Sequence, residues 1–233
     1  SNRRSAPEPH CQDVSLISPS PLVTFVGKSN AKVTIRIVKD IENVTFTYNA
    51  VEINNLKKFL GPPLYDMFRE LYGFDDETAN QAVALYRERY QPIAFLECTP
   101  YEGMIDLVDA VREAGFLASV CTGKPTPTTM KILEHYDLVH HFDYILGSEF
   151  DGSRSKKHEV VADVMKHFGF SEHPEQVRMI GDRKYDVLGA AKCGVQCIGV
   201  RFGFPEPGEL EAAGAEHVVD TVSELKNYLL NLN

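Results

Sequence analysis

From Pro100 onward the chain alternates helix patterns with short apolar strands, and this alternation restricts the fold more than any other feature. A helix beginning near Tyr101 leads to FLASVCT (116–122), one over 126–136 leads to FDYILG (142–147), and one over 157–168 leads to VRMIGD (177–182). A helix over 184–193 then leads to QCIGVRFG (196–203), followed by AEHVVD (215–220) and a last helix. Strands that are apolar throughout must be covered on both faces. The pattern therefore predicts an α/β fold over 99–233: a doubly wound parallel sheet, a Rossmann-like core. Ligands of such sheets bind beyond the carboxyl ends of the strands.

The sequence before Pro100 has other textures. Residues 1–22 are rich in Ser and Pro without periodicity and read as a tag-like or disordered arm. Residues 23–53 alternate β-branched and polar residues in VTFV, KVTIRIV and NVTFTYNAVEI, which predicts a small β-meander or hairpin, an atypical β-rich amino-terminal segment. Between 54 and 98 the pattern becomes helical: Gly61-Pro62-Pro63 punctuates two stretches, and Ala82, Val83, Tyr86 and Tyr90 share one face. This predicts a small helical module, with Phe59, Tyr65, Phe68, Tyr72 and Phe74 in its core.

Three strand ends carry residues suited to one kind of ligand. Gly181-Asp182-Arg183-Lys184-Tyr185-Asp186 follows an apolar strand and opens a helix, so two carboxylates four apart can face one pocket. Hard oxygens of this type suit Mg2+, which keeps several waters and shares its shell with substrate phosphate. The competing reading makes Asp182 an N-cap and Asp186 a solvated first-turn acid. Cys121-Thr122-Gly123-Lys124-Pro125 offers a hydroxyl and free backbone N–H groups before a helix, an anion cradle, or else an ordinary turn capped by Thr122. Arg154-Ser155-Lys156-Lys157 offers a cation for a phosphate, or else a solvated basic turn. Three coincidences on one sheet edge favour the phosphate and metal pocket.

These segments carry a family resemblance. CTGKP, GSEFDGSRSKK and MIGDRKYDVLGA are similar to motifs two, three and four of the haloacid-dehalogenase superfamily of phosphohydrolases. KKFLGPPLYDMFRELYGF, with the later ILEHYDL, resembles the phosphoglycolate-phosphatase-like branch, whose helical cap lies between motifs one and two. The resemblance runs from roughly Ile53 to Leu230. It implies that Thr122, with Gly123 and Lys124, binds the phosphoryl group and that Lys157 steadies phosphate and nucleophile. It further implies that Asp182 ligates Mg2+ with support from Asp186, and that Gly61, Pro62 and Pro63 lie in the cap near the substrate.

The same resemblance requires a first motif, Asp-x-Asp after an apolar strand, whose first Asp attacks phosphorus and whose second is the general acid and base. No Asp-x-Asp precedes the cap. Val38-Lys39-Asp40-Ile41-Glu42-Asn43 comes nearest, with Asp40 as the candidate nucleophile and Glu42 as acid and base, yet Asp40 stands only 21 residues before Gly61. A turn acid in a β-hairpin is the competing reading. Three explanations stay open: an unusual replacement for the first strand and helix, a catalytically impaired relative, or an amino-terminal sequence that departs from the natural chain.

Composition narrows the partners. A formal net charge of -9 disfavours nucleic acid and anionic membranes, while a small anionic substrate needs only a few local cations. Five scattered cysteines without zinc spacing, and no signal-peptide pattern, predict a reduced, cytoplasmic protein. No apolar run approaches the length of a membrane span. Gly27-Lys28-Ser29 lacks the upstream Gly of a P-loop, Leu22 standing in its place. The expected activity is Mg2+-dependent hydrolysis of a small phosphorylated metabolite by a monomer or homodimer. The alternative is a phosphate-ligand binding or regulatory protein without turnover.

Overall fold

The computed structural model describes Ser15–Leu16, Val33–Val38, Asn43–Tyr48, residues 64–93 and residues 98–232. Strand β1 (Ser15–Leu16) runs parallel to β2 (Val33–Val38), which pairs antiparallel with β3 (Asn43–Tyr48) in the register Val33↔Tyr48 to Val38↔Asn43. Ser15 and Leu16 thus form a short strand inside the stretch expected to be a loose arm. The run VTFV and the residues Asp40, Glu42, Phe59, Gly61, Pro62 and Pro63 lie outside the described residues.

Two helices follow, α1 (Leu64–Tyr72) and α2 (Asp76–Tyr90). Asp75 caps α2 by accepting a hydrogen bond from the Thr78 N–H at 2.8 Å, which satisfies one of the donors a helix start leaves orphaned. The expected apolar face of α2 is buried: Ala82 and Val83 pack with Met67 and Phe68 of α1, and Tyr86 and Tyr90 form a second cluster with Leu64 and Ile132. Tyr65, Tyr72 and Phe74 line the first cluster.

The remainder is the α/β core. Strands β4 (Ser119–Pro125) and β5 (Tyr144–Ser148) form one parallel pair, and β6 (Arg178–Gly181), β7 (Gln196–Val200) and β8 (His217–Val219) form a parallel triplet. Helices cover both faces because β7 alternates its side chains. Ile198 and Val200 pack against α3 (Met104–Glu113) and α8 (Val222–Leu230), whereas Cys197 packs against Val161 and Met165 of α5 (Lys157–Phe168) and Val187 and Ala190 of α6 (Lys184–Ala191). Helix α4 (Thr126–His135) follows β4 directly. Helix α5 packs on β4, β5 and α6, and α6 packs on β6 and β7, so these two helices tie the pair to the triplet. Among the described residues no helix is long and apolar enough to cross a membrane.

Most strands are shorter than expected, and β4 and one added helix depart furthest. Strand β4 begins at Ser119, after exposed Phe116 and Leu117 in the irregular segment that follows α3, and it runs on to Pro125, which pairs with Ser148 after a register shift. A short helix, α7 (Glu209–Ala213), interrupts the segment between β7 and β8 and was not expected. It buries only Leu210, and Gly208 and Gly214 bound it at φ 73° and 90°, left-handed conformations that glycine adopts without strain.

Candidate active site

Lys157 at the amino end of α5 meets Asp186 in the first turn of α6 and the backbone of β4 at Cys121, the neighbour of Thr122, while Asp182 stands between β6 and α6. Lys157 is the first residue of α5, and its Nζ lies 2.9 Å from Asp186 Oδ1 while donating to the Cys121 carbonyl at 3.3 Å. One ammonium therefore joins the end of β4 to the first turn of α6. Both partners are largely buried, with side chains 16% and 11% exposed, so this pair is shielded from the screening that weakens surface ion pairs.

Asp186 is a buried group and not a solvated acid: its Oδ2 also accepts the Arg183 N–H at 3.2 Å. Asp182 is no N-cap, since Arg183 holds that position and Asp182 Oδ2 accepts the Phe204 N–H at 2.8 Å. Burial pushes the Asp182 carboxyl above its ordinary range and the neighbouring Asp186 adds to the rise, while the Phe204 hydrogen bond opposes it. A cation beside these two acids would remove that penalty. Among the described residues no three His, Cys, Asp or Glu side chains converge as metal ligands. The residues present fit Mg2+ nonetheless, because that ion takes one or two carboxylates and fills its octahedron with water and phosphate oxygens.

Thr122 lies inside β4, and its Oγ1 accepts the Lys124 N–H at 3.2 Å; α4 takes Pro125 as its N-cap. The Gly123 carbonyl accepts the Ser148 hydroxyl at 2.8 Å, and Thr126 Oγ1 accepts the Gly147 N–H at 3.0 Å, so β5 fixes the turn from the side. The Lys124 side chain leaves this turn and donates to the Tyr90 hydroxyl at 2.8 Å. Of the basic turn, only Lys157 enters the site. Arg154, at φ 53°, donates to the Gly147 carbonyl at 3.2 Å and pairs with Glu149 and Asp163. Lys156 is exposed.

Two site residues were absent from the sequence reading. A Cβ on Gly189 would stand 2.6 Å from Lys157 Cγ, so the lysine stem crosses α6 only where that helix has no side chain. A Cβ on Gly203 would stand 2.7 Å from Asp182 Cγ, in the loop whose Phe204 amide holds the same carboxylate. A lone glycine inside the helix pattern GDRKYDVLGA was the available signal, since it costs about 1 kcal/mol against alanine and calls for a packing reason.

The chain is similar to known proteins. The family model described as haloacid dehalogenase-like hydrolase matches residues 31–200. The chain belongs to the haloacid dehalogenase-like hydrolases. Within that family it falls in the phosphoglycolate-phosphatase-like branch, as a phosphoric monoester hydrolase. It is 36% identical over 178 residues to a protein of Pseudomonas aeruginosa named 5'-nucleotidase, covering 76% of this chain and 80% of that one. It is 27% identical over 151 residues to the phosphoglycolate phosphatase of Pseudomonas putida, 65% of this chain and 54% of that protein. Among solved structures it resembles a predicted phosphatase from Clostridium acetobutylicum, with TM-score 0.73 and 40% identity, over 77% of this chain and 82% of that one.

Proposed function

We propose that the chain hydrolyses a small phosphate monoester through an aspartyl-phosphate in a Mg2+-dependent reaction, with nucleoside 5'-monophosphates the first substrates to assay and phosphoglycolate the second. The observation that carries this reading is the Lys157 ammonium, held between the Cys121 carbonyl and Asp186 beside the Thr122 turn. A cation fixed in a largely buried place acts on developing phosphoryl charge more strongly than one in water, and without reorganising. The Thr122 hydroxyl and the amides of its turn would bind phosphoryl oxygens, and Asp182 with Asp186 would hold the metal. Mg2+, when bound, neutralises phosphoryl oxygens and orients them. The attacking carboxylate forms the bond to phosphorus as the ester oxygen departs with a proton, and water then releases phosphate and restores the carboxylate. Asp40 is the candidate for that attack. The name 5'-nucleotidase, borne by a relative 36% identical to this chain, is the reason to assay nucleoside monophosphates first.

Phosphate release from a nucleoside 5'-monophosphate and from an aryl phosphate, with Mg2+ or with chelator, tests the proposal. Release should require the metal and fall on the order of 10²–10³-fold in Lys157→Ala, the scale of losing one preorganised charge-stabilising group. Release unaffected by chelator and by Asp182→Asn would overturn it. The sequence, which holds no Asp-x-Asp before the helical module, leaves one other reading, a phosphate binder without turnover. That protein would release no phosphate in this assay yet bind inorganic phosphate in a calorimetric titration.

A further inference from the structure

Lys124 stands in the phosphate turn, but its side chain does not stay there. The backbone N–H donates to Thr122 Oγ1, while Nζ reaches the Tyr90 hydroxyl at 2.8 Å and lies 4.8 Å from the centre of that ring. Tyr90 is the last residue of α2, and it is buried with Tyr86, ring centres 5.3 Å apart, against Ile132 of α4. The helix that follows the phosphate turn and the lysine within that turn therefore grip the same tyrosine. Burial holds the Lys124 ammonium below its ordinary range.

A second contact repeats the arrangement one turn earlier on α2. The Arg87 guanidinium donates to the Phe150 carbonyl at 2.5 Å and lies 5.5 Å from the centre of the Phe150 ring. Phe150 belongs to the loop between β5 and α5, which delivers Lys157. Arg87 and Tyr90 are three residues apart and so share one helix face. Each is fastened to a different loop of the site, one bearing Thr122 and the other leading to Lys157.

We propose that Lys124 is a positioning residue, a latch that couples the Thr122 turn to the helical cap through Tyr90, and not a ligand of the phosphate. This deepens the phosphatase reading above, on which it rests. While the latch is made, the last turn of α2 is held over the core by the Lys124 stem, and the turn itself is fixed separately by its bonds to Gly147 and Ser148. When it is broken, the cap helix loosens first and the phosphate contacts last. A lysine serving as a phosphate ligand would give the opposite order.

Two measurements on the full chain separate these orders. Amide hydrogen exchange across residues 84–93 reports the latch without requiring turnover, and calorimetric titration with inorganic phosphate reports the turn. Tyr90→Phe, which removes one oxygen, and Lys124→Met should each speed exchange there by about 10-fold, the scale of losing one hydrogen bond to a charged group. The double variant should exchange no faster than either single one, Lys124→Arg should restore slow exchange, and phosphate affinity should stay within about twofold of wild type in all four. Additive exchange effects would overturn the latch. So would phosphate affinity at least tenfold weaker in Lys124→Met and unchanged in Tyr90→Phe. Wild-type protein that binds no phosphate would sink the phosphatase reading alone, and the exchange cycle would still decide the latch.

Discussion

Replacing Gly189 with alanine tests whether the placement of Lys157 governs the chemistry. The added methyl would lie 2.6 Å from Lys157 Cγ, 2.7 Å from its Cβ and 3.3 Å from the His158 nitrogen. Ordinary carbon contacts lie near 3.5–4 Å, so the stem must retreat by about 1 Å. Its ammonium stands 2.9 Å from Asp186 and 3.3 Å from the Cys121 carbonyl, and both contacts lengthen. For folding, alanine gains up to about 1 kcal/mol over glycine in a helix. Overpacking costs about 1–3 kcal/mol. The net is roughly 0–2 kcal/mol of destabilisation, or at most about 8 °C in Tm for a chain of this size. A catalytic group misplaced by 1 Å costs on the order of 100-fold in rate, about 2.7 kcal/mol in the barrier. Steady-state phosphate release measured well below Tm should therefore fall by about 100-fold in a protein that is still folded. A kcat/KM within about threefold of wild type would refute the reasoning, because the lysine would then have accommodated the methyl at no catalytic cost.

Other perturbations give equally definite outcomes. Mg2+ at ten times its Kd should stabilise the wild type by about 1.4 kcal/mol, or about 3–6 °C in a thermal scan, and Asp182→Asn should abolish the shift. Burial raises the Asp182 pKa in the fold, so this group's cost to folding grows as the pH rises from the ordinary carboxyl value to the raised one and is fully present above it. Metal-free Asp182→Asn should therefore match or exceed wild-type Tm at pH 7, with the difference shrinking as the pH falls and Asp182 protonates; a lower Tm at pH 7 would contradict this. Glu209→Ala leaves the buried Arg183 guanidinium without the carboxylate that accepts from its Nε at 3.1 Å, and unfolding should become easier by about 3–5 kcal/mol in denaturant titration. Asp40→Asn should abolish phosphate release if Asp40 attacks phosphorus, and undiminished release would remove it from the mechanism.

Much of the core was legible because its strands are apolar runs ending in chemistry. The run VRMIGD predicts a strand leading to Asp182, and β6 ends at Gly181. The helix predicted over 157–168 has those bounds, since Lys157 follows polar Arg154–Lys156 and Gly169 ends it at φ 79°. Local patterns could not reveal contacts between segments remote in the chain. Nothing near Lys124 indicates that its ammonium meets Tyr90, 34 residues earlier, and nothing near Gly189 indicates that Lys157 crosses it. Helix α7 escaped notice because five residues with one buried leucine carry no measurable period.

The account claims above all that Thr122, Lys157, Asp182 and Asp186 form one pocket for a phosphate and a metal together. Linkage makes that claim measurable without turnover, because two ligands sharing a pocket must alter each other's affinity reciprocally. Calorimetric titration with inorganic phosphate, in the presence and absence of Mg2+, should give phosphate binding at least about tenfold tighter with the metal in the wild type, a coupling near 1.4 kcal/mol. The coupling should vanish in Asp182→Asn. Equal phosphate affinity with and without Mg2+ in the wild type would contradict the shared pocket.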